Sequence, residues 1–338
     1  MRLWSTKPSS VSQWTDGLRF DPARTRAGHI ESWFLKANDP RGRRAVWLKW
    51  TVWAGSGDRT HAIAEAWAIA FGGAHGHVAT KTSVPFERAR FASASIGANV
   101  DGCTLTADAA RGRVESGGRA IAYDLTIASL EAPLVHFPAP WMYERAFPRQ
   151  KLVSPIPNAR ISGTVEVEGE RWTLDAWPGM VGHNWGEGNS ESYAWGHCNA
   201  WDDEDDVVFE GFTARVRAGG VLVPTTALCL RHHGTSYMLT GFASLARNRG
   251  AISARRWQFR GQGSRVTLEG EMWADTEDFV GLFYPNPDGT LCYCLNSKLA
   301  HAELTLRIHG RASRTLHSSR AALELATRDP NHGVRMYV

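Results

Sequence analysis

The 338-residue sequence has no stretch that approaches the roughly 18 apolar residues of a membrane-spanning helix. Its first residues, MRLWSTKPSSVSQW, lack the apolar run of a secretory signal. Cysteine is scarce. Cys103, Cys198, Cys229, Cys292 and Cys294 are an odd, dispersed set, which excludes a disulfide framework and leads us to expect a reducing, cytoplasmic setting. Cys292 and Cys294 read as small buried residues on one strand face. Charge of one sign is also lacking. The formal net charge is +4 and the basic residues are scattered, so no nucleic-acid footprint is expected. No Gly-x-Ser-x-Gly elbow, phosphate loop or dinucleotide fingerprint stands in a supporting context, and no cofactor is expected. His75/His77 and His232/His233 have no matching cysteine or carboxylate spacing, so no metal is expected either. The run Asp202–Asp206 lacks the glycine and spaced ligands of a calcium loop and reads as a solvated hairpin tip.

What the chain has in excess is tryptophan, fifteen of them, each able to wall an apolar space while keeping one N–H donor. Its dominant pattern is alternation over five to ten residues, broken by turn residues. Residues 45–54, AVWLKWTVWA, suit a strand buried on both faces. In 61–71, HAIAEAWAIAF, every even position is alanine and the odd ones carry the large residues. A helix would scatter those residues, so the segment reads as a strand with one thin face, a means of leaving room inside a barrel. A hairpin is expected at Glu168-Gly169 and a turn at Pro285–Gly289. Only Ser318–Thr327 reads as helix. Many short strands between turns imply an all-β fold of two antiparallel barrels around apolar cavities. The proline-rich stretch Pro133–Pro157 marks the boundary, giving halves of 1–155 and 156–338.

The segment 177–201, WPGMVGHNWGEGNSESYAWGHCNAW, concentrates the chemistry. Gly179, Gly182, Gly186 and Gly188 allow tight turns or close backbone approach around His183, Asn184 and Trp185. On the strand that follows, Tyr193, Trp195, His197 and Asn199 share a face, a polar spot for the wall of an apolar cavity. His183 and Asn184 could equally brace a corner, with Trp185 plugging a barrel end. GHNWGEGNSESYAWGHCNAW resembles the signature of tocopherol-cyclase-like and carotenoid-hydratase-like proteins. HIESWFLK, residues 29–36, is similar to the first-strand E-x-W-[YF] element of that family. Tyr193-Ala-Trp195 stands where a W-x-W pair is common, and His197 where Gln is frequent.

The resemblance implies two lipocalin-like barrels in tandem and cofactor-free hydration or ring closure on isoprenoid-type molecules. Such chemistry needs an acid kept protonated by burial and aromatic faces for the cation that follows. Glu31 is the first candidate acid, with His183 to orient or relay the proton. Trp33, Trp185 and Trp195 are candidates to line the pocket, with Trp67, Asn184, Tyr193 and His197. Glu65 is a second carboxyl candidate, with a basic partner across the barrel as its plainer role. The expected activity is a cofactor-independent cyclase, hydratase or isomerase for a hydrophobic isoprenoid-like or polyketide-like molecule. Its one expected partner is that hydrophobic small-molecule substrate, taken up through peripheral membrane contact; the oligomeric state is left open. A non-catalytic lipid or pigment carrier, and a scaffold with filled barrels, are the rival readings.

Overall fold

The structure, a computed structural model, describes residues 16–23, 28–57, 61–218 and 220–338. Strands β1 (His29–Asn38), β2 (Ala45–Ala54), β3 (Ile63–Phe71) and β4 (Val78–Pro85) run as an antiparallel meander. From β1 the first sheet continues through Glu170–Gly186, Gln150–Val167, Arg119–Ser129 and Ala109–Ser116 to Arg90–Phe91. It curls until β4 lies against the Ala109–Ser116 and Arg119–Ser129 strands. The second sheet is built around Tyr193–Cys198, flanked by Val207–Ala218 on one side and Arg314–Thr327 on the other. The chain is thus all-β, two lipocalin-like antiparallel barrels in tandem. Among the described residues, no helix is long and apolar enough to cross a membrane.

Each barrel holds an apolar core. The alanine face of β3 (Ala64, Ala66, Ala68, Ala70) does point into the first barrel, but tryptophans from neighbouring strands take up the volume it leaves. Trp50 reaches across the interior to donate its indole N–H to the Cys103 carbonyl at 3.0 Å. In the second barrel Phe209 stacks on Phe259 and Trp257 packs tilted against both. The cavity described below lies between the sheets, outside these two cores. A third apolar cluster lies between the sheets, where Phe34, Trp47 and Trp67 of the first meet Trp195, Leu282 and Tyr284 of the second.

Two expectations are corrected. The change from one sheet to the other falls between Gly186 and Tyr193, not at residue 155. Pro155 and Pro157 do not end a sheet: they sit at register shifts within the Gln150–Val167 strand, where a missing N–H interrupts no regular ladder. Ser318–Thr327 is not a helix but part of the Arg314–Thr327 strand, paired on both edges. Its run Ala321, Ala322, Leu323, Leu325, Ala326 is buried on both faces, so it carries no period-two signal and its helical propensity is overridden by pairing. The hairpins at Glu168-Gly169 and Pro285–Gly289 form as the turn residues require, with Glu168, Gly169 and Gly289 at positive φ.

Candidate functional site

A cavity of about 230 Å³ lies between the two sheets. Strand parity decides what lines it. On β1, Trp33, Leu35 and Ala37 point into the barrel core, leaving Ile30, Ser32 and Phe34 for the cavity. On β2, Val46, Leu48 and Trp50 point inward, while Trp47, Lys49, Thr51 and Trp53 face the cavity. Glu65 and Trp67 of β3 complete this wall. The second sheet contributes Tyr193, Trp195, Phe212, Tyr284 and Glu324. Exposed Arg149, Arg215 and Arg328 form the rim. Gly182 holds the wall open: a Cβ there would stand 2.2 Å from the Phe34 ring, its partner across the strands.

The wall is aromatic, with Lys49, Glu65, Lys151 and Glu324 as its buried charged groups. The Lys49 ammonium lies 4.0 Å from the ring centroid of Tyr284, 5.5 Å from Trp67 and 5.7 Å from Trp47. Among the described residues it makes no hydrogen bond and no ion pair. Burial lowers its pKa, against the pull of Glu324 and Glu65. Glu65 accepts from Trp67 Nε1 at 3.1 Å and Ser83 Oγ at 2.9 Å, with Lys81 Nζ at 3.4 Å. Its basic partner thus comes from adjacent β4, on the outer face of the barrel. Glu324 accepts from Lys298 Nζ at 2.9 Å and Asn296 Nδ2 at 3.2 Å. Burial pushes the phenols of Tyr193 and Tyr284 well up, so both stay protonated as donors.

Of the residues singled out in the sequence, Glu65, Trp67, Asn184, Tyr193 and Trp195 line the cavity. Glu31, Trp33, His183, Trp185 and His197 do not. Glu31 and His183 meet, at 3.0 Å, but at the end of the first barrel. There the Glu31 carboxylate also accepts from His29 Nε2 at 2.9 Å, Arg19 N at 2.8 Å and Phe20 N at 2.8 Å. Burial opposes its ionisation, yet the hydrogen bonds and charge of the two histidines prevail and hold it at about 2. Such a group clamps the 19–20 segment as a carboxylate; it is not an acid held protonated. Trp33 stacks on His183, 4.3 Å between centroids, and belongs to the barrel core. Trp185 packs on Tyr143 and Val153. His197 bonds the Pro157 carbonyl at 2.9 Å; burial and nearby Lys36 lower its pKa to about 3, so it stays neutral.

The residues missed in the sequence are Lys49, Tyr284, Glu324 and, behind the wall, Glu210. Parity in AVWLKWTVWA was a sufficient signal for Lys49, since Val46, Leu48, Trp50 and Val52 form an unbroken apolar face opposite it. Fully buried Glu210 accepts the Trp195 indole N–H at 3.0 Å and Ser154 Oγ at 2.8 Å, which fixes the plane of the Trp195 ring. Elsewhere, Glu204 supplies a carboxylate that sequence spacing did not show, 3.1 Å from His232 Nε2 and 2.6 Å from His233 Nε2. Arg314 meets the same carboxylate oxygen at 3.1 Å, so a cation there would compete with a guanidinium. Cys292 and Cys294 are buried and unpaired.

Residues 151–327 match the family model described as tocopherol cyclase-like. An uncharacterized protein of Mycobacterium tuberculosis is 27% identical over 301 residues, covering 85% of this chain and 84% of that protein. Among solved structures, CghA with Sch210972 superposes at a TM-score of 0.57 with 14% identity, over 93% of this chain and 94% of that one. A protein of Nitrosomonas europaea assigned as AttH superposes at 0.52 with 14% identity, over 96% and 98%. At such identities these structures establish the shared fold.

Proposed function

The chain belongs to the tocopherol cyclase-like family, and from that premise we propose that it is a cofactor-independent acid–base enzyme working in the inter-sheet cavity. Its reaction is a cyclisation, hydration or isomerisation of a hydrophobic isoprenoid-like or polyketide-like molecule. The observation that carries this reading is the placement of Lys49, a cation held by three aromatic faces in a cavity with no hydrogen-bond partner of its own among the described residues. Aromatic faces stabilise positive charge by about 0.5–2 kcal/mol per ring, and Phe34, Trp53 and Phe212, in the same wall and not engaged by Lys49, are the faces open to charge developing on a substrate. Lys49 donates a hydrogen bond or proton to the polar end of the substrate. Glu65, Glu324 and the phenols of Tyr193 and Tyr284 supply the remaining acid–base groups. The apolar wall keeps water from the charged intermediate.

The test is extraction and identification of compounds that copurify from the native host, followed by turnover assays on that compound class. Conversion that falls at least about a hundredfold in Lys49→Met, with the fold intact, supports the reading. A bound compound recovered unchanged, with affinity indifferent to Lys49→Met and sensitive to Trp67→Ala, would instead identify a carrier.

A further inference from the structure

The chain has six lysines against thirty-two arginines. The surface is given to arginine, and the five described lysines cluster on or beside the inter-sheet layer. Lys36 donates to Asn199, Lys298 to Glu324, and Lys151 lines the cavity. Lys81 stands 4.3 Å over the Trp67 ring and Lys49 faces the cavity itself. Arginine cannot lose its proton in a protein, whereas a buried lysine amine can. Of the five described lysines, Lys36, Lys49, Lys151 and Lys298 are buried and Lys81 is partly exposed at the edge of the layer.

Lys49 differs from the other four. Lys36, Lys151 and Lys298 donate to side-chain or carbonyl oxygens, and Lys81 pairs with Glu65. Lys49 has aromatic faces around it and the cavity in front of it. Glu65 and Glu324 in the same wall are held by Lys81 and Lys298, so Lys49 is left facing the cavity and whatever enters it. We propose that the cavity takes molecules bearing an aldehyde or ketone on an apolar body, that the Lys49 ammonium passes its proton to Glu65 or Glu324 as such a ligand enters, and that the amine so formed is a nucleophile that holds the ligand as an imine. This rests on the reading of the inter-sheet cavity as the ligand site and goes beyond it by naming the reacting group. Burial, which favours the neutral amine, supports the same assignment.

The bond changes balance without an oxidant or reductant. The Nζ lone pair forms a C–N bond to the carbonyl carbon as the C=O π pair moves to oxygen. A proton passes from nitrogen to that oxygen, with Glu65 or Glu324 as carrier. The hydroxyl then takes the proton held by that carboxyl and leaves as water while the nitrogen lone pair forms the C=N bond, giving a protonated imine; addition of water reverses the sequence.

The experiment uses citronellal, an acyclic terpenoid aldehyde, with sodium cyanoborohydride to reduce the imine, and citronellol as the matching alcohol. Intact-mass measurement and peptide mapping should find one reduced adduct per chain at Lys49. The adduct should be absent from both Lys49→Arg and Lys49→Met and unchanged in Lys81→Met. Tryptophan fluorescence reports citronellol binding in parallel. If citronellol binds but citronellal is not trapped, or is trapped mainly on other amines, the amine assignment is overturned while the cavity reading stands. If neither compound binds, the cavity reading falls as well.

Discussion

Lys49 on the first sheet and Tyr284 on the second stand face to face across the cavity, the ammonium 4.0 Å from the ring centroid. This contact belongs to neither barrel alone. It exists because even-numbered positions fill the barrel from β2 and odd-numbered ones face outward, so docking the second sheet buries a charge that a lone barrel would leave in water. The site is therefore a product of the pairing of the two halves.

Glu31 is expected to act through stability. Its folded pKa of about 2 lies below the ordinary carboxyl value, so its contribution is fully present above about pH 4.5 and is lost as pH falls through 2. Glu31→Gln should lower unfolding stability by about 3 kcal/mol at neutral pH, because it removes the charge that draws the two histidines and turns one of the two acceptor oxygens into an NH2 that faces N–H donors. The gap from wild type should shrink on acidification toward pH 2. Urea unfolding at several pH values measures it; a gap independent of pH would mean the carboxylate is not the stabilising form.

Gly182→Ala tests the wall. The added methyl would sit 2.2 Å from the Phe34 ring, flanked by extended backbone, and Phe34 must swing into the cavity to relieve it. Loss of roughly 1–3 kcal/mol in stability is the expected overpacking cost. Ligand affinity should fall more than in a control such as Gly241→Ala, where a Cβ meets open space at an ordinary extended φ. Unchanged affinity with lowered stability would show that Phe34 moves away from the cavity.

The fold was legible because alternation and turn chemistry are local. The parity of 61–71 identified β3, and Glu168-Gly169 located the hairpin between the Gln150–Val167 and Glu170–Gly186 strands. The location of the site was not legible. Sequence marks which face of a strand is apolar, but Ala64 to Ala70 look like a cavity lining until Trp50 is seen to fill the space beyond them. Glu31 and His183 carried the family resemblance, and they meet, but in a clamp at the barrel end. Asn184 reaches the cavity because it alternates with His183 and Trp185. Which face of each strand meets the other barrel is settled by long-range packing, which no window of sequence contains.

Lys36 should give the buried amines a pH signature. Burial lowers its pKa from 10.5 to about 7, with Lys298 adding repulsion, while Cys198 and Glu210 oppose the shift. Between those two values the unfolded chain holds a proton that the folded one has released. The Lys36 contribution is thus fully present above 10.5 and lost as pH falls through 7. The melting temperature of wild type minus that of Lys36→Met should therefore rise from pH 7 to pH 9.5. A flat difference would mean that Lys36 keeps its proton in the folded chain, held by Asn38 and Asn199.

Removing Lys49 to alanine should leave the cage of Trp47, Trp67 and Tyr284 empty but intact, since each ring is held by contacts of its own. Trp67 is fixed by its bond to Glu65 and by Lys81 above it, and Tyr284 by the Val280–Pro285 strand. A small alkylammonium such as propylammonium fits both the charge and the length of the deleted side chain. It should bind Lys49→Ala and not wild type, and should restore part of whatever turnover the substitution removes. The affinity should be weak, because the three rings together supply only a few kcal/mol against the lost freedom of the free amine. Calorimetric titration with propylammonium, with propanol as the uncharged control, measures it. Equal binding of both would show that the space is merely apolar; selective binding of the cation would show that the cage recognises positive charge, which is the property a cation-forming reaction uses.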